Sequence, residues 1–242
     1  WTGQIEMLTG IDIGGWQGLA AADVNGDGRD DIYVAQPGGL PNRLYVQQQD
    51  GKFADRSAAA GVDFLDSSHG NLLVDLDNDG DQDIFLTSLD GNILLRNHGG
   101  IFNDVSQLSG LGNRIEWSSS AIFFDADKDG WLDLYVGNYA IWSPAGDLWC
   151  SLDSKTKVYC PPEMYTGLPS RFYHNNGDGT FSDKALAAGV QDPYRSFGAS
   201  FEDFNNDGFL DLLIPKYEFT GSNPSSLFIN NKDGNVCRKC TR

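Results

Sequence analysis

Four nine-residue stretches concentrate the acidic chemistry of this chain: DVNGDGRDD at 23–31, DLDNDGDQD at 75–83, DADKDGWLD at 125–133 and DFNNDGFLD at 203–211. In every copy offsets 1, 3, 5 and 9 are Asp or Asn, and offset 6 is glycine. So many like charges repel unless a cation sits among them. Hard divalent cations take several oxygen ligands at about 2.3–2.6 Å, and alternate residues of a tight loop can converge on one point. The side chains so placed are Asp23, Asn25, Asp27 and Asp31; Asp75, Asp77, Asp79 and Asp83; Asp125, Asp127, Asp129 and Asp133; and Asp203, Asn205, Asp207 and Asp211. Offset 7 varies freely (Arg29, Asp81, Trp131, Phe209), as expected of a position that offers only its backbone carbonyl. A solvated acidic turn is the plain alternative for any single copy. Four copies at one spacing favour calcium, one ion per loop.

The EF-hand loop also begins D-x-D-x-D-G, but it requires a bidentate Glu at position 12 and a helix on each side. Position 12 here is Val34, Leu86, Val136 or Ile214, none of which can ligate a metal. The flanks are β-like. Apolar runs such as GNLLVD and SAIFFD precede the loops, and DIYVA, DIFLT, DLYVG and DLLIP follow them, rich in β-branched and aromatic residues. Each loop is therefore expected at a strand–loop–strand corner. A third strand follows (RLYVQQQ, NILLRNH, RFYHNN, SLFINN), then a glycine-containing turn. A fourth segment of the form F-x-D comes last, with glycine eight residues after the Phe in three copies (Phe53 to Gly61, Phe102 to Gly110, Phe181 to Gly189). Loop starts 52, 50 and 78 residues apart, with four strands per unit, indicate propeller blades. The expected fold is all-β: one β-propeller of four blades, each of four antiparallel strands with the calcium loop between strands one and two. The blades span about 17–62, 69–111, 118–190 and 197–242.

These residues resemble FG-GAP/VCBS repeat proteins, as in the integrin α-subunit propeller, and most closely the ASPIC/UnbV-type group. The resemblance covers nearly the whole chain. Its most specific parts are the D-x-[DN]-x-D-G-x-x-D loops and the stretch YCPPEMYTGLPSRFYHNNGDGTFSD at 159–183. It implies an extracellular, calcium-stabilised propeller of a kind that binds proteins or glycans, or that forms part of a polysaccharide-degrading enzyme. Fold alone does not choose between these.

With 34 acidic against 17 basic residues the formal net charge is −17, and fourteen of those acids stand at ligand offsets. Four divalent ions would bring the net charge to about −9, so much of the acidity is site charge. No basic patch suits a phosphate backbone, which argues against a nucleic-acid partner. No apolar stretch approaches the length of a membrane span. Loops of this type suit millimolar extracellular calcium, so secretion is expected, with the cell surface or periplasm as variants.

Cys150 and Cys160 fall in the 141–168 segment that lengthens the third repeat, and a disulfide there would staple a loop otherwise too long to stay ordered. Cys237 and Cys240 form C-R-K-C without a thioredoxin-like setting and fall short of zinc's four ligands. A local disulfide, or a link to other sequence, is the expectation for them. The same insertion carries Trp142, Trp149, Tyr159 and Tyr165, rings that could stack on a sugar or fill a partner's pocket; the plainer reading is a small satellite core around the disulfide. His69, His98 and His174 lie in no metalloprotease-like context, and no nucleophile elbow or phosphate loop is present. The expectation is a binding, adhesion or self-assembling module without catalysis; a lectin-like propeller and a fragment of a polysaccharide-active enzyme are the alternatives.

Residues 1–11 look like the fourth segment of a blade, and the last blade's own fourth segment is short. The first strand could close the ring within the chain, mark a piece of a larger propeller, or complete a neighbour's blade head-to-tail. Closure within the chain is preferred because effective concentration there is high.

Overall fold

The computed structural model describes residues 18–158, 160–191, 195–196, 198–215 and 225–232, and the backbone of 236–240. The described chain forms four antiparallel sheets, each a four-stranded meander. The first contains β1 (Leu19–Ala22), β2 (Asp31–Val34), β3 (Arg43–Gln47) and β4 (Phe53–Asp55); the second β5 (Ser68–Val74), β6 (Asp83–Ser88), β7 (Ile93–Asn97) and β8 (Phe102–Asp104). The third contains β9 (Ser118–Phe124), β10 (Asp133–Asn138), β11 (Arg171–Asn175) and β12 (Phe181–Asp183); the fourth β13 (Ser200–Glu202), β14 (Asp211–Ile214), β15 (Ser226–Asn230) and β16 (Val236–Cys240). This is the expected four-blade, all-β arrangement, with each acidic loop joining a blade's first two strands. The expected closing or donated strand, residues 1–11, lies outside the described residues.

The second strands explain why the repeats read as continuous apolar runs. β6 and β10 are buried along their whole length, because alternate residues face opposite neighbours. Ile84 and Leu86 pack with Tyr33, Leu44 and Val62 of the first blade. Phe85, on the other face of β6, packs with Leu134, Val136 and Tyr173 of the third. The alternation repeats on β10, where Tyr135 joins Phe172, Leu212, Ile214 and Phe228 in a core shared with the fourth blade. Burying each such side chain contributes about 1.5–3 kcal/mol. The cores thus lie between blades, and each sheet is stabilised by its neighbours.

The F-x-D segment is a short strand that runs directly into a helical turn, α1 (Ser57–Ala60) and α2 (Ser106–Ser109) in the first two blades. Asp55 and Asp104 each accept the backbone N–H of the following Ser57 or Ser106. Those buried serines in turn accept the N–H of Leu44 and Leu94 at 2.9 Å, tying the fourth segment to the third strand. Gly61 ends the first turn in the left-handed region at φ 77°, where an added β-carbon would lie 3.1 Å from the Phe102 carbonyl oxygen of the next blade.

Antiparallel meanders place the acidic loops and the strand 3–4 turns at one end of the blades. The strand 2–3 connections, including the insertion, and the links between blades lie at the other. Small residues near the start of each first strand do not share one role. A β-carbon on Gly18 would lie 2.8 Å from the Asn71 backbone nitrogen, and one on Gly70 2.9 Å from Thr87 Oγ1, whereas Gly198 has open space around it. Close packing therefore accounts for Gly18 and Gly70 but not for Gly198.

Candidate functional site

Each acidic loop is built by its own carboxylates. The glycine at offset 6 donates its N–H to the offset 1 Asp in all four copies: Gly28 to Asp23 (2.6 Å), Gly80 to Asp75 (3.0 Å), Gly130 to Asp125 (3.1 Å) and Gly208 to Asp203 (2.7 Å). These glycines have φ between 81° and 95°, a conformation that costs an L residue with a β-carbon. Offset 4 is also left-handed, filled by Gly26, Asn78, Lys128 and Asn206. The offset 5 carboxylate accepts the backbone N–H of offset 7, at Arg29, Asp81, Trp131 and Phe209. The offset 7 side chains diverge, as variable positions should. Arg29 pairs with Asp27, Asp81 accepts from the Gly99 N–H, Trp131 lies against Gly177, and Phe209 lies under Lys128 with 4.4 Å from Nζ to its centroid.

The offset 9 Asp is the keystone of each loop. Asp31, Asp83, Asp133 and Asp211 are buried, and each uses one oxygen to accept the offset 2 N–H and the other to accept an N–H at the end of the third strand. The first bond comes from Val24, Leu76, Ala126 or Phe204. The second comes from Gln47, Asn97, Asn175 or Asn230 at 2.8–2.9 Å. Burial pushes the Asp83 carboxyl up to about 6, against the Asn97 N–H and the Arg96 guanidinium. Burial likewise raises Asp133 to about 6, against the Asn175 N–H and His174. At Asp23 the balance reverses: burial pushes its carboxyl upward, but four backbone N–H donors hold it below its ordinary value.

The remaining oxygens fit a cation. Asp75, Asp77 and Asp79 each present an oxygen within 4.8 Å of the others, and Asp75 Oδ1 and Asp77 Oδ1 are buried without a hydrogen-bond partner. Asp127 and Asp129 group in the same way with His174. Such orphaned acceptors are costly unless something positive meets them. Oxygen donors from alternate loop residues match calcium chemistry.

The loops divide into two kinds that the spacing alone did not reveal. In blades whose loop has Asn at offset 3 (Asn25, Asn205), the next-to-last residue of the third strand is aliphatic, Val46 or Ile229. Loops with a fourth carboxylate there (Asp77, Asp127) stand beside a base, Arg96 or His174. Arg96 is buried, pairs with Asp77 and lies 3.6 Å from Asp83. His174 Nδ1 lies 3.0 Å from Asp133 and 3.7 Å from Asp127. Each loop with the extra acid thus has a basic side chain of its own blade within reach of it.

Three asparagines bind the loops to the next blade. Asn97 Nδ2 donates to the Val24 carbonyl at 2.8 Å, Asn175 Nδ2 to Leu76 at 3.4 Å and Asn230 Nδ2 to Ala126 at 2.7 Å. Each also donates within its own blade, to Gln82, Leu132 or Leu210. The signal was present in the sequence as the Asn of RNH, HNN and INN.

The sequence is matched by a family model described as an FG-GAP-like repeat, over residues 23–86, 75–136 and 164–214. The chain belongs to the FG-GAP-like repeat family. Among curated proteins it is similar to cartilage acidic protein 1 of Homo sapiens, at 26% identity over 81% of this chain and 29% of that protein. It is similar to the Mus musculus protein of the same name, at 25% identity over 81% of this chain and 30% of that one. The chain therefore spans under a third of the length of these relatives. Among solved structures it is similar to an Agrocybe aegerita lectin described as recognising non-reducing terminal N-acetylglucosamine, with TM-score 0.50, 19% identity and coverage of 93% of this chain and 53% of that one. At that identity the likeness is one of fold.

On the face opposite the loops, the FG-GAP blades carry the insertion. Cys150 and Cys160 form a disulfide, as expected; the side chains of Cys237 and Cys240, on β16, lie outside the described residues. Of the four insertion aromatics, Trp142 and Tyr165 converge on Asp147, donating to its Oδ1 from Nε1 (2.9 Å) and the hydroxyl (2.8 Å), with Lys157 on the other oxygen. Trp149 is 64% exposed and stands apart, and Tyr159 lies outside the described residues. The rings that gather with Trp142 belong to the blades. Trp117 meets Trp142 at 5.6 Å, Tyr139 at 4.9 Å and His69 at 6.0 Å between ring centroids. No helix among the described residues is long and apolar enough to cross a membrane.

Proposed function

We propose that this FG-GAP chain is a calcium-stabilised extracellular binding module without catalytic activity. The observation that carries the proposal is the repeated wiring of the four loops, in which the keystone Asp ties the loop to the third strand. In blades two to four an Asn then ties that strand to the preceding loop. Carboxylates used in this way are scaffolding. An ion held by offsets 1, 3 and 5, the offset 7 carbonyl and offset 9 would neutralise the acidic corner and lock two strands of a blade. The residues so engaged are those of all four loops. The Cys150–Cys160 disulfide supports an oxidising compartment, and so does the kinship with proteins named for cartilage.

A glycan is the favoured ligand class over a protein, because a lectin shares this fold and partly exposed aromatic rings cluster on the insertion face. The intact protein, in calcium, is to be incubated with a polysaccharide panel and passed over immobilised glycans and matrix proteins. Retention of a glycan or protein without release of product is expected. Product release from any polysaccharide would overturn the non-enzymatic reading.

A further inference from the structure

The strongest unassigned feature outside the acidic loops is the aromatic cluster where the second and third blades meet the insertion. His69 is the second residue of β5, Trp117 immediately precedes β9, Tyr139 immediately follows β10, and Trp142 lies at the start of the insertion. Trp117 is the centre, edge-on to both Tyr139 (interplanar angle 73°) and Trp142 (64°). All four rings are only partly buried, so the cluster presents aromatic surface rather than closing over a core. The insertion holds Trp142 in place through Asp147, which is already satisfied by Lys157 and Tyr165.

One nitrogen of this cluster lacks a partner: His69 Nδ1 is buried without a hydrogen bond. Nearby charge is acidic. Asp66 and Asp90 are the charges felt by His69, Asp66 Oδ1 is also buried without a partner, and the Glu116 carboxylate is taken by Arg171. Aromatic faces suit a ligand with an apolar C–H face, a partly exposed imidazole suits a hydroxyl at its rim, and local acidity disfavours an anion. A pyranose ring has this combination of surfaces.

We propose that Trp117, Tyr139, Trp142 and His69 form a binding site for an uncharged pyranose residue of a glycan. The inference rests on the binding-module reading and deepens it by placing the ligand and stating its class. Trp117 and Trp142 supply the stacking surface, and the partly exposed His69 imidazole supplies a polar contact at its rim.

The test uses the intact chain in calcium on an array carrying neutral, sialylated and sulfated glycans, followed by calorimetric titration with the best neutral oligosaccharide. Neutral glycans are expected to be retained. Trp117→Ala and Trp142→Ala should each weaken binding at least tenfold, Trp117→Phe should recover part of it, and Trp149→Ala should leave it unchanged. Melting curves are to be matched to wild type, so that a variant that fails to fold is replaced by its Phe counterpart. Retention of sulfated or sialylated glycans alone would overturn the proposal. So would neutral binding that survives in both folded Ala variants, although the broader binding reading would then stand. Absence of any glycan binding by the folded protein also overturns it, leaving the binding reading to retention on matrix proteins.

Discussion

Asn97 Nδ2 lies 2.8 Å from the Val24 carbonyl oxygen, a hydrogen bond that crosses from the second blade into the acidic loop of the first. The same Asn donates to Gln82 within its own loop, and its backbone N–H reaches the keystone Asp83. One side chain thus joins two loops and two blades. Asn97→Ala leaves two carbonyls without their partner and is expected to cost on the order of 2 kcal/mol. Asn230→Ala, which strips the equivalent bonds to Ala126 and Leu210, should behave similarly. Urea denaturation of both variants in calcium measures this, and wild-type midpoints would show the staples to be inert.

The offset 6 glycines are required by backbone conformation rather than by space. Gly80 sits at φ 95° with nothing within 4 Å of an added β-carbon. Gly80→Ala should therefore destabilise by roughly 1–2 kcal/mol through strain alone, whereas Gly198→Ala, also in open space but without a positive φ, should be near neutral. Thermal melting of the pair checks the contrast.

Arg96 is expected to trade one cation for another. Arg96→Met removes the buried partner of Asp77 and Asp83. Without calcium this variant should melt below wild type, because two acidic groups lose their counter-charge. With calcium the gain in melting temperature should exceed that of wild type, because the ion no longer competes with a guanidinium. An equal gain in both proteins would show that Arg96 does not act on the loop.

Asp83 and Asp133 should titrate near 6 in chelator, since burial raises both. A carboxyl raised above its unfolded value of 3.8 binds its proton more tightly in the native state. Its contribution to stability is therefore complete below about 4 and is lost as pH rises through about 6. Calcium favours the deprotonated form and should move both titrations downward. Carboxyl-carbon NMR with and without calcium reads this directly, and midpoints near 4 in chelator would contradict the burial argument.

Much of the fold was legible because its signal is periodic. The spacing of Asp, Gly and apolar runs fixes the loop, the strands on either side and the four-blade count, and the loops fold locally by donating to their own carboxylates. What escaped notice depends on the neighbouring blade. Ile84 and Phe85 are adjacent apolar residues in sequence, and only the assembled structure sends them into different cores. Asn97, Asn175 and Asn230 were visible as repeated letters, but their partner carbonyls lie 73 to 104 residues away. Trp117 was not legible for the same reason: the insertion has aromatic rings of its own, while the centre of the cluster comes from the link into the third blade.

The central claim is that the acidic loops are ion-holding joints of the propeller. Thermal melting of the chelator-treated protein during calcium titration, with bound calcium counted by equilibrium dialysis, tests it most directly. The melting temperature is expected to climb with calcium, since a ligand held only by the folded state must stabilise it. Occupancy should approach one ion per loop, with one ion lost in the Asp127→Ala variant. A melting temperature indifferent to calcium, with no ion retained on dialysis, would contradict it.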